Sequence, residues 1–266
     1  MRIRQLALTL SALACGFVAC STATGTRSVT AASTSPASAT LPSPLDRALQ
    51  LVVFTAPDWS TTSGTLYRFE RPDVRSPWAP AASAIPAVIG RTGLAWGDPS
   101  LASDMQQPVK HEGDGKSPAG AFPLDTAFGF APQAEMSWLR MPYSPLLPGS
   151  DCVDDQASVH YNTVVDRATV PKVDWTSAEH MLSISQYRIG VIVGYNAAPP
   201  TPGRGSCIFL HIWGGPQSTT AGCTAMDAAR LESLMRWLDA RRHPAIVQLP
   251  AAEYARLRDA WKLPSL

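Results

Sequence analysis

The 266-residue sequence has no surplus of charge of either sign, with 22 Lys and Arg against 21 Asp and Glu, and it contains no long basic run. A phosphate backbone is held by clustered positive side chains, so nucleic acid is not an expected partner. No internal repeat is evident. The apolar run from Leu6 to Ala19 is shorter than the roughly 20 residues that cross a bilayer as a helix. His160, Cys207, His211 and Cys223 include ligand types that zinc accepts, but they lack compact ligand spacing, so no metal and no cofactor is expected. The lysine and glycines between His111 and Gly120 lack the nucleotide-binding spacing, and no clear helix follows them.

What is present at the front has the layout of an export signal. Arg2 and Arg4 precede the apolar run, and Phe17-Val18-Ala19-Cys20-Ser21 resembles a bacterial lipoprotein processing box. Residues 1–20 are therefore expected to be a signal peptide with Cys20 as the lipidation site, the competing outcome being simple cleavage after a small residue. A lipidated Cys20 would attach the protein to a membrane by acyl chains and place it in the periplasm or cell envelope. Residues 21–44 are nearly all Ser, Thr, Ala, Pro and Gly and read as a disordered tether. The remaining length, 45–266, suits one catalytic domain, expected to be monomeric.

That domain reads as mainly β. Leu49–Thr55 and Gly64–Glu70 suit a strand, a turn and a strand, and short extended pieces punctuated by glycine follow at Ile85–Gly90 and Gly93–Gly97. Residues Lys110–Gly120 suit a loop leading into a strand at Phe122. Ser158–Val165 and Gln186–Tyr195 carry the strongest strand composition. Leu231, Leu234, Met235 and Leu238 recur at helical spacing behind Asp227, a plausible cap, with Pro244 beyond the end. Val247–Pro250 reads as a last strand and Ala251–Trp261 as a short helix with Tyr254, Leu257 and Trp261 on one face.

The chemistry concentrates between Cys207 and Cys223. Ile208-Phe209-Leu210 suits a strand that delivers His211, and the turn-rich segment Gly214–Thr220 can return the chain so that His211 and Cys223 become neighbours. A helix start after Cys223 and an imidazolium beside it would both favour the thiolate, which is the attacking species. Backbone N–H groups there could face the oxyanion formed on an attacked carbonyl. The plain alternative is a buried thiol and a satisfied sheet histidine. Tyr161 and Asn162 are second-tier candidates for substrate binding. Trp213 suits either a groove wall or the core. Cys152 and Cys207 could pair in an oxidising compartment and leave Cys223 free, could remain buried thiols, or Cys207 could pair with Cys223.

Gly115-Lys116-Ser117-Pro118-Ala119-Gly120-Ala121-Phe122, the His211 strand, and Thr220-Ala221-Gly222-Cys223-Thr224 together resemble the YkuD-type L,D-transpeptidase catalytic domain of bacterial cell-wall enzymes. Ser117 stands where that family has threonine, and Thr220 where it has serine. The resemblance implies a mainly β catalytic domain with Cys223 as nucleophile, His211 as base, Thr220 in the nucleophile motif, and Gly222 with neighbouring N–H groups around the oxyanion. It also implies peptidoglycan stem peptides as substrate, attacked at an L,D amide to give a thioester. An amine then resolves the thioester in a transpeptidase, and water does so in a carboxypeptidase. The family's arginine shortly after the nucleophile is replaced by Thr224-Ala225-Met226, and Arg140, Arg188 and Arg204 are the candidates to supply charge to a stem carboxylate. Loss of that arginine also fits a non-catalytic peptidoglycan-binding lipoprotein.

Overall fold

The computed structural model of the protein describes residues 44–266. The expected signal, the expected lipidation site Cys20 and nearly all of the expected tether lie outside the described residues. The domain is mainly β, as its alternating segments predict. Its strands are β1 (Gln50–Ala56), β2 (Ser63–Glu70), β3 (Ala79–Val88), β4 (Leu94–Trp96), β5 (Ser117–Gly129), β6 (Tyr143–Pro145) and β7 (Ser150–Val153). They continue as β8 (Val164–Asp166), β9 (Ala178–His180), β10 (Ile189–Val193), β11 (Phe209–Ile212), β12 (Thr224–Met226) and β13 (Ala245–Pro250). Two helices, α1 (Ala228–Trp237) and α2 (Ala251–Leu257), complete the regular structure.

The large sheet runs β10-β11-β12-β3-β2-β1-β13-β5, and β5 pairs in turn with β10, so the sheet closes on itself like a barrel. Closure leaves no open edge along that ring. The core lies inside. Leu51, Val53, Leu66, Ile85, Leu124, Leu210, Met226, Leu231 and Val247 are all buried in one cluster. A second, smaller sheet, β8-β7-β9, stands beside it. A smaller buried cluster joins Phe128, Cys152, Met181, Tyr187, Cys207, Phe209 and Cys223.

Two features aim the chain at the site. First, β11 and β12 are parallel neighbours with His211 opposite Ala225 and Leu210 opposite Thr224. Second, β10 lies antiparallel to β11 with Gly190 opposite His211. A Cβ at Gly190 would lie 2.3 Å from the Phe128 ring and 2.8 Å from the Leu210 carbonyl, so glycine there allows the aromatic packing under the site.

Several expectations need correction. Ser158–Thr163 is a set of turns and only Val164–Asp166 is strand. Polar side chains win over strand-forming composition here: Ser158 donates to Asp174 at 2.7 Å, the Val159 N–H donates to Asp174 at 3.0 Å, and Asn162 sits at φ 58°. In Gln186–Tyr195 the strand is confined to Ile189–Val193, behind a 3-10 turn at Ser185–Arg188. Helix α1 is capped by Asp227, whose carboxylate accepts from the Ala229 and Arg230 N–H groups. However, α1 begins beyond β12, so Cys223 does not lie at a helix amino terminus. Helix α2 ends at Leu257, and Trp261 packs against the core from the turn beyond it.

Candidate active site

A parallel strand pair decides the geometry. Partners in register share a face, and side chains two apart along a strand return to that face. Because His211 is opposite Ala225, the alternation places Phe209, His211, Cys223 and Ala225 on one face, while Leu210, Thr224 and Met226 turn to the core. His211, Cys223 and Ala225 all line one cavity of about 400 Å³. Its other walls include Glu112, Glu179, Tyr187, Trp213, Gly222 and Arg91.

Cys223 is the free cysteine among the described residues; Cys152 and Cys207 form a disulfide, which resolves that open question. The thiol lies at the cavity floor with 5% of the residue exposed. Its sulfur accepts from the Phe209 N–H at 3.3 Å, and the S–H donates to the Cys207 carbonyl at 3.3 Å. Burial, and then the nearby Glu179 carboxylate, push the thiol well up from its ordinary value, against the pull of the Phe209 N–H. The resting sulfur is therefore a neutral thiol. The expected thiolate lacks both the helix terminus and an adjacent imidazolium: burial lowers the proton affinity of His211, partly offset by its bond to Ile212.

The imidazole is buried but lines the cavity. Its Nδ1 lies 2.7 Å from the Ile212 carbonyl, which can only accept, so Nδ1 carries the proton and Nε2 keeps its lone pair. No hydrogen bond joins His211 to Cys223 in this resting arrangement. The Tyr187 ring meets the imidazole edge-on at 5.2 Å.

The motifs singled out from sequence converge on the backbone of Cys223. Ser117 Oγ accepts from the Gly90 N–H at 3.0 Å and donates to the Cys223 carbonyl at 3.1 Å. Thr220 Oγ1 donates to the same carbonyl at 2.7 Å and accepts from the Gly222 N–H at 3.1 Å. Two segments far apart in sequence thus clamp one peptide. The Gly222 N–H is engaged by Thr220 at rest, so it would serve an oxyanion only by being shared. A Cβ at Gly222 would meet the Lys116 carbonyl at 3.0 Å and the Ile208 side chain at 3.2 Å, which explains the glycine.

Of the substrate-binding candidates, Trp213 lines the cavity, half-buried. Tyr161 and Asn162 do not. The Tyr161 hydroxyl donates to Glu112, while Asn162 holds the Cys207 N–H at 2.9 Å and the carbonyls of Tyr195 and Asn196. They brace the loop that carries Cys207. His160 meets Trp175 edge-on and lies outside the cavity. Arg140 holds the carbonyls of Arg236 and Trp237, Arg204 holds that of Gly97, and Arg188 is exposed; none lines the cavity.

Positive charge comes instead from Arg91 and Lys110, with Lys110 bound to Asp114 at 2.6 Å. Glu179 was also missed. It faces the cavity, and its carboxylate accepts from the Tyr187 hydroxyl at 2.6 Å. Burial raises its pKa to about 7, and the charges of Asp154 and Glu112 add to that rise against the Tyr187 hydrogen bond. No local sequence signal marks Arg91, Glu179 or Tyr187, because each arrives from a different loop or short strand.

Comparison of the chain with protein-family models, with curated proteins and with solved structures finds no match.

Proposed function

We propose that the protein is an exported cysteine acyltransferase of the L,D-transpeptidase kind, acting on peptidoglycan stem peptides through a thioester on Cys223. The observation that carries this reading is the shared face of β11 and β12, which presents an imidazole with a free Nε2 and a thiol to one cavity. The clamp of Ser117 and Thr220 on the Cys223 carbonyl adds rigid positioning, which covalent catalysis requires.

In the reaction the thiol loses its proton and the sulfur attacks the amide carbon. The new C–S bond forms, the C–N bond breaks, and the amine leaves with a proton. An amine or water then attacks the thioester with His211 as base, and the sulfur leaves and regains its proton. Resting hydrogen bonds in such sites are often incomplete and tighten in the substrate complex.

A second reading, a peptidoglycan-binding protein without turnover, is favoured by one observation: the thiol is nearly sealed and no hydrogen bond reaches it from His211. Protein lacking residues 1–44, incubated with tetra- and pentapeptide muropeptides and followed by mass, separates the two. The enzyme reading expects an acyl adduct and loss of the terminal residue, both abolished by Cys223→Ala. Binding without adduct or turnover would favour the second reading.

A further inference from the structure

The cavity around Cys223 carries charge of both signs, and most of it is already engaged. Of the lining carboxylates, Glu112 accepts from the Tyr161 hydroxyl and from Ser206 at 2.8 Å, and Glu179 accepts from Tyr187 at 2.6 Å. Asp154 adds a third, with Oδ1 buried and without a hydrogen-bond partner. Of the lining Lys and Arg side chains, Lys110 is buried and donates to Asp114 at 2.6 Å and to the His111 carbonyl at 2.7 Å. Arg91 is the exception. Its side chain is exposed, and its guanidinium has neither a hydrogen bond nor an ion pair among the described residues.

Arg91 is nevertheless held in place. Gly90 bridges to Thr220, and the Arg91 N–H donates to the Thr220 carbonyl at 2.9 Å. Thr220 is the residue whose hydroxyl binds the Cys223 carbonyl. The guanidinium itself rests over Gly115, where a Cβ would lie 2.9 Å from Arg91 Cζ and 3.0 Å from Nε. An unpaired cation is thus tied by its backbone to the segment that carries the thiol. A guanidinium presents a planar pair of N–H donors, the shape that a carboxylate accepts.

We propose that Arg91 is a substrate-binding residue that takes the free terminal carboxylate of the peptide whose last amide Cys223 attacks. This rests on the proposed thioester chemistry, in which the terminal residue leaves. In such a peptide the terminal carboxylate is the anion closest to the attacked bond, since the α-carbon alone separates it from the amide nitrogen. Glu112, Asp154 and Glu179 repel an anion, so the unpaired guanidinium decides where it settles. The site therefore selects for a chain end: a terminus capped as an amide lacks the charge that Arg91 is placed to meet. When the C–N bond breaks, the carboxylate departs with the amine, and the guanidinium is vacated before the acceptor attacks the thioester.

The test compares two alkylating reagents of nearly equal size, iodoacetate and iodoacetamide, at Cys223 of the full-length protein, read by mass on the peptide that carries it. Both react with the same thiolate, so their rate ratio, taken relative to that for glutathione, does not depend on how much thiolate is present. Wild type should favour iodoacetate, and Arg91→Gln should lower the ratio by about tenfold, the low end for hydrogen bonds to a charged group. Arg91→Lys should keep part of the preference, and added salt should weaken it. In parallel, kcat/KM is measured for a tetrapeptide stem ending in a carboxylate and for the same stem ending in a carboxamide. Wild type should favour the carboxylate by about tenfold, and Arg91→Gln should lose that preference by slowing the carboxylate stem alone.

A wild-type protein with no preference for iodoacetate overturns the proposal, whether or not the variants fold. So does an Arg91→Gln protein that slows both stems equally. Failure of both reagents to label Cys223 in the folded protein also overturns it, because the cavity would then deliver no carboxylate to the sulfur. An iodoacetate preference that depends on Arg91, with no turnover of either stem, would leave the carboxylate site standing and reject the muropeptide reading. Turnover that needs Cys223 but is indifferent to Arg91 and to the terminal carboxylate would do the reverse.

Discussion

The two hydroxyls on the Cys223 carbonyl offer a test whose size follows from the structure. Ser117 is fully buried; replacing it with Ala removes its bond to the carbonyl and strips the buried Gly90 N–H of its acceptor. A lost bond costs about 1 kcal/mol and a stranded buried donor about 1–3 kcal/mol, so Ser117→Ala should cost roughly 2–4 kcal/mol. Thr220 is half-buried; Thr220→Val keeps its shape, and water can replace the bond in part, so the cost should be about 1 kcal/mol. The double variant leaves the carbonyl with neither donor and should lose more than the sum, by roughly 0.5–1 kcal/mol. Urea denaturation of the four proteins at unchanged slope measures this. The same set should show a progressive fall in Cys223 alkylation or turnover as the sulfur loses its placement. Losses that add to within about 0.3 kcal/mol would refute the idea that the hydroxyls serve one acceptor.

Other predictions are independent of that clamp. The Cys152–Cys207 disulfide closes a sequence separation of 55 residues, so Cys152→Ala with Cys207→Ala should cost about 4 kcal/mol and lower Tm by roughly 8–16 °C in a thermal melt; a drop below about 3 °C would contradict this. Glu179 binds its proton more tightly folded than unfolded, so its contribution is present below about pH 4.5 and lost as pH rises through about 7. Urea midpoints should therefore show Glu179→Gln more stable than wild type at pH 8, by on the order of 1–3 kcal/mol, with that advantage gone at pH 4. Gly190→Ala forces the Phe128 ring aside and should cost roughly 1–3 kcal/mol by chemical denaturation, where no change would mean that the ring has room to move.

Much of the framework was legible in the residues. Alternation marks β1 and β2, the apolar spacing behind Asp227 marks α1, and the Ile208-Phe209-Leu210 run marks the strand that presents His211. The convergence of His211 and Cys223 on one cavity was also legible, because the turn-rich segment Gly214–Thr220 lets the chain return to the same site. Three things were not. Composition favours strand at Ser158–Thr163, but Asp174 and Asp155 capture the local N–H and hydroxyl groups of these turns and their neighbours, and no propensity reports a partner that distant. The protonation of Cys223 was misjudged because β12 intervenes before α1 and burial outweighs any nearby positive end. Glu179, Tyr187 and Arg91 have no common motif, and they become neighbours only through the closure of β5 on β10 and the disulfide.

The pairing of β1 with β13 has a consequence for how the domain comes into being. These are the first and last strands of the domain, and they lie side by side in register from Leu51 with Ala245 to Ala56 with Pro250. The ring therefore cannot be sealed by any amino-terminal fragment. Everything between must wait, with β5 and β1 each lacking a neighbour, until the final strand is delivered to the gap between them. Contacts that join the two ends of a chain form slowly, so the half-made domain has a long interval with two sticky edges. A chain cut shortly before Ala245 would keep every residue of the cavity and still have no finished wall behind it.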